Sequence, residues 1–353
     1  MSFFVIGYYA LLIGASCLAA YFKQRQIFIL VFSLTMVSFI LGIIGGVPAL
    51  RFVTICAGLL ALAAGTSYAF REFLIVITPD GVAKELRTAP LTAAFGMFVI
   101  FTYAIAGIFA PVIAPYGEAE IISSAFAPAD ENLLLGADQL GRDMFSRIIY
   151  GARNSVGLAL LATTLAFVLG ALAGLLAATK GGWFDQFMGR FADVIMSVPS
   201  LIFALLILSI FGTNLFVIVI VVAVIYSPRV FRLTRAVAGN VVVMDYIEAA
   251  KLRGEGDWYL IRKEILPNST APLVAEFGLE FCFVFLLIAG LSFLGLGIQP
   301  PTADWGSMVR ENATLISFGD VTPLIPAGAI ALLTVAVNFV VDWMLYRSSG
   351  LKE

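Results

Sequence analysis

Residues 245–268 read DYIEAAKLRGEGDWYLIRKEILPN, a mixed-charge, helix-forming stretch set between two long apolar segments. Its charges keep it out of hydrocarbon, so whatever reads it lies outside the lipid. Asp245 with Glu248 three residues later has the form of a capping box. Ala249, Ala250 and Leu252 carry a short helix, and Gly254 suits a left-handed stop. A second short helix is predicted over 258–264. Pro267 is expected to end that unit and restart the chain toward the bilayer.

The surrounding chain explains why such an insert stands out. Of 353 residues, 61% are hydrophobic and only 12% charged, and mean hydropathy is +1.01. No single soluble core hides that much apolar surface, so the chain is an all-α integral membrane protein. Crossing the hydrocarbon takes about 20 apolar residues. Such stretches lie at 3–22, 27–45, 52–70, 91–110, 155–178, 194–211, 215–227, 272–294 and 323–345, about nine transmembrane helices. Gly212, Thr213 and Asn214 divide one long apolar run, leaving a second piece that is short unless it continues past Ser227 and Pro228.

A net charge of −2 and the lack of a basic stripe argue against nucleic acid as a partner. Histidine is absent, and Cys17, Cys56 and Cys282 fall inside predicted spans without metal-ligand spacing, so no metal site or disulfide framework is expected. The run ending in Gly14-Ala15-Ser16-Cys17 faintly resembles a lipoprotein cleavage signal. It lacks a basic start and continues apolar to Phe22, which favours a retained helix. No G-x-x-x-x-G-K-[ST] phosphate loop occurs, so no ATP hydrolysis is expected from this chain.

Written as E-A-A-x-x-x-G, ten intervening residues and then I-L-P, the stretch from Glu248 through Gly254 to Leu266-Pro267 resembles the coupling loop of ABC-importer membrane subunits, in the oligopeptide/dipeptide/nickel branch. Where that family often carries His three residues before the proline, this chain has Glu264. The resemblance extends from roughly Leu91 to the C-terminus. It includes Leu135–Asp143 leading into Ser146–Arg153; Asp185, Arg190, Asp193, Ser197 and Pro199; and Leu291–Pro301 followed by Asp304-Trp305-Gly306-Ser307-Met308.

The resemblance implies a type I ABC importer transmembrane domain with a cytoplasmic coupling helix. It implies a second homologous permease, two ATPase subunits or domains that bind ATP and Mg, and an extracytoplasmic solute-binding protein. No cofactor belongs to this chain itself. The expected layout is three extra helices in 1–70, a cytoplasmic linker at 71–90 and a six-helix core at 91–353 with the coupling loop at 245–268. With that loop inside a cell inner membrane, alternation of spans puts most of the 21 basic residues on the cytoplasmic side. Only Arg51, Arg142, Arg147, Arg153 and Arg310 remain outside, the N-terminus faces outward and the C-terminus inward.

The expected ATPase-coupling residues are Glu248, Ala249, Ala250, Gly254, Leu266 and Pro267. Glu276 and Glu280 share a helix face, and a carboxylate at mid-bilayer costs roughly 2.5–3.5 kcal/mol, so that face meets water, a partner or a proton rather than lipid. They are candidates either for structural pairing with a partner's basic residue or for lining the translocation path. The family commonly has an acid further along this helix, where Ile288 stands here. Asn338 and Asp342 are expected to hold helices in register, and Arg229, Arg232 and Arg235 to anchor a helix end at lipid headgroups.

Outside the spans, Glu118, Glu120, Asp130, Glu131, Glu311 and Asp320 read as solvated loop charge. Asp138, Asp143, Asp304 and Trp305 are candidates for docking the binding protein. Two rival readings stay open on sequence alone: an ion-coupled secondary transporter using Glu276 and Glu280, and a membrane scaffold that carries no solute.

Overall fold

The computed structural model describes residues 48–348, and the expected spans at 3–22 and 27–45 lie outside them. The chain divides into two compact units, Met1–Thr78 and Pro79–Glu353. Among the described residues of the first, helix α1 covers Pro48–Ile77 and contains the expected span 52–70. Helix α1 continues through Arg71 and Glu72, into the stretch expected as a linker. These two pair side by side at 3.1 Å, and apolar Phe73–Ile77 follows. The chain turns at Thr78 and Pro79 instead.

Among the described residues no strand forms. The second unit is a bundle of α2 (Asp80–Leu86), α3 (Leu91–Ile108), α4 (Met144–Lys180), α5 (Gly182–Met196), α6 (Ser200–Phe211), α7 (Leu215–Val242), α8 (Asp245–Leu252), α9 (Asp257–Phe293), α10 (Trp305–Asn312) and α11 (Leu324–Ser348). Helices α3, α4, α7, α9 and α11 are long and apolar enough to cross a membrane; α5 and α6 make a sixth span if taken as one broken element, bent by 84°. The expected straight helix at 194–211 is therefore corrected. Pro199 disfavours helical backbone in the residue before it, which opens the chain between α5 and α6. Twelve residues of α6 span only about 18 Å alone.

The apolar run from Leu215 does continue past Pro228, to Val242. Proline leaves the carbonyl four residues earlier without its amide, and the Ser227 hydroxyl donates to that carbonyl, on Val224, at 3.2 Å. A similar continuation corrects the expected stop at Pro267, since α9 is unbroken from Asp257 to Phe293. Residues Leu260–Ile265 are wound as a π-helix. Asn268 and Ser269 return side-chain donors to the carbonyls of Glu264 and Ile265 at 2.6 and 2.8 Å.

The closest helix pair is α4 with α7. Ala162, Ala166, Gly170 and Gly174 recur every four residues along α4 and are buried. A methyl group at Gly174 would stand 2.8 Å from the carbonyl oxygen of Phe231, and one at Gly170 would strike the carbonyl of Ser227. Small residues at this spacing let two backbones meet without intervening side chains, which drives association where lipid supplies no hydrophobic contrast. Around this seam, Val222, Ala223, Val284, Phe285, Ile288 and Leu333 complete the apolar core.

We expect Gly174→Ala to lower the thermal unfolding midpoint of the detergent-solubilised protein, with an overpacking cost of about 1–3 kcal/mol. Gly290→Ala, where a methyl group meets nothing within 4 Å, should leave the midpoint unchanged or raise it.

Candidate functional site

Helix α8 joins the end of α7 to the start of α9 and has two unlike faces. Ile247 and Ala250 are fully buried, packed with Leu175 of α4, Ala238 of α7, and Leu260, Ile261 and Ile265 of α9. On the other side Tyr246, Glu248, Ala249, Lys251, Leu252 and Arg253 are exposed, Leu252 by 84%. Val243 and Met244 just before the helix and Trp258 just after it are exposed as well. Contiguous exposed apolar side chains of this kind mark protein-contact, membrane-contact or ligand-binding surfaces.

The caps differ from expectation at one end only. Met244 occupies the N-cap and makes no side-chain cap bond, while Asp245 and Glu248 both lie within the first turn. The capping box is therefore absent, and the two carboxylates act on the positive end of the helix instead. At the C-terminus Gly254 has φ +85°. Its amide donates to Lys251 and that of Glu255 to Ala250, at 2.9 and 3.2 Å. This is the Schellman arrangement that a glycine permits at low cost.

Among the expected coupling residues, Glu248, Ala249 and Gly254 are exposed on or beside α8. Ala250 is not available to a partner, because it is the residue that seats α8 on its own chain. Leu266 and Pro267 sit in α9, directly after the π-wound segment. Leu252 was not singled out by the motif and is the most exposed apolar side chain of the helix.

A second feature gathers ionisable side chains on the faces of α5, α7 and α9. Arg232 pairs with Asp193 and Arg235 with Asp185, both beside a cleft of about 540 Å³ lined also by Gly181, Gly189 and Asn240. Arg229 Nε lies 3.4 Å from Glu280 Oε1, with side-chain exposures of 41% and 2%. The guanidinium of Arg229 lies 4.3 Å from the centre of the Phe283 ring and 5.9 Å from that of Tyr226. The Tyr226 hydroxyl donates to the Phe283 carbonyl at 3.2 Å, closing the same junction. Glu276, one turn from Glu280, is half-buried.

The three arginines therefore tie α7 to its neighbours, and the headgroup-anchor expectation is corrected. They lie inside α7, which runs on to Val242, rather than at its end. Glu280 likewise finds its basic partner within this chain. The signal was present in the sequence as arginines three apart on one helix and aspartates eight apart on another, which can face each other. Asn338 donates to Thr334 of its own helix at 3.0 Å and Asp342 is exposed, so neither bridges helices here.

At the end of the bundle remote from α8, the four expected docking residues are buried, which removes them from any contact surface. Asp138 accepts from the Leu140 and Arg142 amides and from Arg142 Nε, at 2.8, 3.0 and 2.7 Å. Arg147 and Glu311 complete a four-charge cluster in which two arginines balance two carboxylates. Asp143 caps α4 through the Ser146 amide at 2.8 Å. Asp304 caps α10 through the Ser307 amide at 2.9 Å and accepts from Ser155 of α4 at 2.8 Å. Burial raises the Asp304 carboxyl above the usual carboxylate range, and these donors oppose the shift. Trp305 fills the core between α3, α4 and α9, its indole donating to Ile148 at 3.0 Å. What stays exposed on the loop before α4 is Glu120, Asp130 and Glu131, with Ile121, Phe126, Leu134 and Leu140.

Cys282 is a free, buried thiol, and among the described residues no cluster of His, Cys, Asp or Glu has metal-binding geometry.

Residues 166–349 match the family model described as the binding-protein-dependent transport system inner membrane component. The dipeptide transport system permease protein of Alkalihalophilus pseudofirmus is 34% identical over 261 residues, covering 73% of this chain and 85% of that one. The di/tripeptide transport system permease protein of Pseudomonas aeruginosa is 34% identical over 254 residues, covering 70% and 84%. The glutathione transport system permease protein of Pectobacterium atrosepticum is 35% identical over 211 residues, covering 59% and 69%. Among solved structures, a chain of an amino acid ABC transporter with histidines matches at 21% identity and a TM-score of 0.44, covering 57% of this chain and 94% of that one. With six apolar spans among the described residues, counting the bent pair as one, and a two-faced helix between the fourth and fifth of them, the chain belongs to the family of binding-protein-dependent ABC importer permeases, multi-pass subunits of the inner membrane.

Proposed function

We propose that this permease works in an ATP-driven importer of short peptides, with α8 as the helix that docks an ATPase subunit. The observation that carries the reading is the division of α8 into a face buried on α4, α7 and α9 and a face exposing Leu252, Tyr246 and Ala249. A helix seated this way on three others moves with them. A partner that grips the exposed face and changes shape with bound nucleotide would then move the spans, the requirement for alternating access.

The rest of the assembly follows from that arrangement and from the family. A second homologous permease completes the translocation path. Two ATPase subunits or domains hold ATP and Mg, and a solute-binding protein delivers the peptide. The α8 end of the bundle faces the cytoplasm, as the bias of Lys and Arg toward it supports; this puts the N-terminus outside and the C-terminus inside. Residues 91–353 form the transport core, and 1–70 add helices that anchor it or contact a partner. Peptide as the solute class rests on the names of the relatives, which are dipeptide and di/tripeptide permeases.

The charged faces of α5, α7 and α9 line the path. From Leu215 to Arg229 and from Phe293 to Glu280 the helices rise by roughly 20 Å each, inside a hydrocarbon core of about 30 Å. Exposed charge at that depth faces water or protein, not lipid. The binding protein rests on the loops beyond α3 and α9, where Asp138 in its charge cluster and Asp143, Asp304 and Trp305 in their own buried contacts support the exposed residues from beneath.

Two experiments test this reading. Leu252→Asp should leave insertion and thermal stability of the permease unchanged while ATPase copurification and uptake fall about tenfold or more, as expected for loss of a central contact residue. Unchanged copurification and uptake would remove α8 from the interface. In vesicles holding the assembled importer, uptake of radiolabelled dipeptide should require ATP inside and binding protein outside. Uptake by this subunit alone under an imposed proton or sodium gradient would replace the proposal with an ion-coupled transporter using Glu276 and Glu280.

A further inference from the structure

The environment of Arg229 has the form of a ligand contact rather than a closed structural pair. Glu280 makes its nearest approach to the guanidinium at the inner edge, through Nε at 3.4 Å. Among the described residues the two terminal nitrogens make no hydrogen bond, and no carboxylate other than Glu280 pairs with this side chain. The side chain is 41% exposed and stacked on Phe283, which is itself exposed. The group is thus held in position from behind by a carboxylate and an aromatic ring, with its outer fork open.

Two further features set this arginine apart from Arg232 and Arg235. Those two are spent on Asp193 and Asp185. Glu280 is almost fully buried, and its Oε2 has no hydrogen-bond partner. A buried carboxylate that contributed only stability would be expected to have both oxygens engaged. An incompletely used guanidinium fork matches the two oxygens of a carboxylate, which it takes in a bidentate geometry that lysine lacks.

We propose that Arg229 binds the free C-terminal carboxylate of the solute as it passes along the α7–α9 face, with Glu280 as the positioning residue that aims it. Glu276, half-buried one turn away on the same face, puts a negative charge beside the site. That charge favours a zwitterion over a simple anion. Phe283 supplies an apolar floor tolerant of varied side chains. This inference rests on the peptide-import reading above and adds to it the chemical group by which this subunit recognises its solute.

The test uses the assembled importer in vesicles and compares alanylalanine with alanylalanine amide. Arg229→Gln should reduce uptake of the free acid about tenfold or more, the effect of losing a charge-assisted hydrogen-bonded pair. Uptake of the amide should stay within about twofold of the unaltered importer. Equal losses for both peptides, or none for either, would overturn the assignment. Because R229Q leaves Glu280 buried and unpaired, the double variant R229Q/E280Q provides the same comparison without that defect. An independent measurement needs no transport of the amide. In the importer carrying Phe283→Cys, with Arg229 intact, a sulfonate-bearing methanethiosulfonate should label residue 283, beside the guanidinium, and saturating alanylalanine should slow the labelling. A site that is unlabelled, or labelled at the same rate with peptide present, would contradict the proposal. Failure of the unaltered importer to carry alanylalanine with ATP would instead defeat the peptide reading itself.

Discussion

Backbone-to-backbone contact between α4 and α7 is the constraint on which the other features depend. In a bilayer the hydrophobic effect gives helices little reason to prefer each other over lipid, so association rests on close packing. Ala162, Ala166, Gly170 and Gly174 remove side-chain bulk from one stripe of α4, and Ser227, Phe231 and Thr234 of α7 come up against it. Once that seam is closed, the two helices behave as one stiff element. Its end carries the apolar seat, from Leu175 to Ala238, on which Ile247 and Ala250 of α8 rest.

The same element carries charge in the opposite direction along its length. Arg235, Arg232 and Arg229 climb α7 from near α8 toward the middle of the bundle, meeting Asp185, Asp193 and Glu280 in turn. The first two pairs border an open cleft and are partly solvated, so each contributes at most about 1 kcal/mol. They can exchange partners at little cost when α5 and α7 shift. Pairs of that strength suit a surface that must open and close. The buried cluster of Asp138, Arg142, Arg147 and Glu311 at the remote end has the contrary character. Breaking one of its pairs would strand a buried charge at about 3–5 kcal/mol, which favours a fixed platform.

Much of this was legible in the sequence. Apolar runs located the spans of the second unit, and Gly254 marked the end of α8 because a left-handed residue is needed there. The failures have physical causes. The π-wound turn at Leu260–Ile265 carries α9 through Pro267, and hydroxyl donation from Ser227 to Val224 eases Pro228 into α7. Neither rescue can be read from propensity, which scores each proline alone. Acidic residues in a loop look like surface charge. Asp138, Asp143 and Asp304 are instead consumed by caps and by arginines distant in sequence, a tertiary fact with no local signature. The motif picked out the stretch that forms α8 but not which side of the helix faces outward. Burial of Ala250 and exposure of Leu252 decide that.

The central claim is that α8 moves as one piece with α4 and α7. Spin labels on Lys251 of α8 and Lys180 at the end of α4, both exposed, report their separation in the assembled importer. Pulsed electron–electron distance measurements in the nucleotide-free and ATP-bound states should give the same mean and width, since the Leu175–Ile247–Ala250 contact stays closed while the assembly changes shape. A distance that shifts or broadens on ATP binding would mean that α8 swings free of its seat, and the transmission described here would not exist.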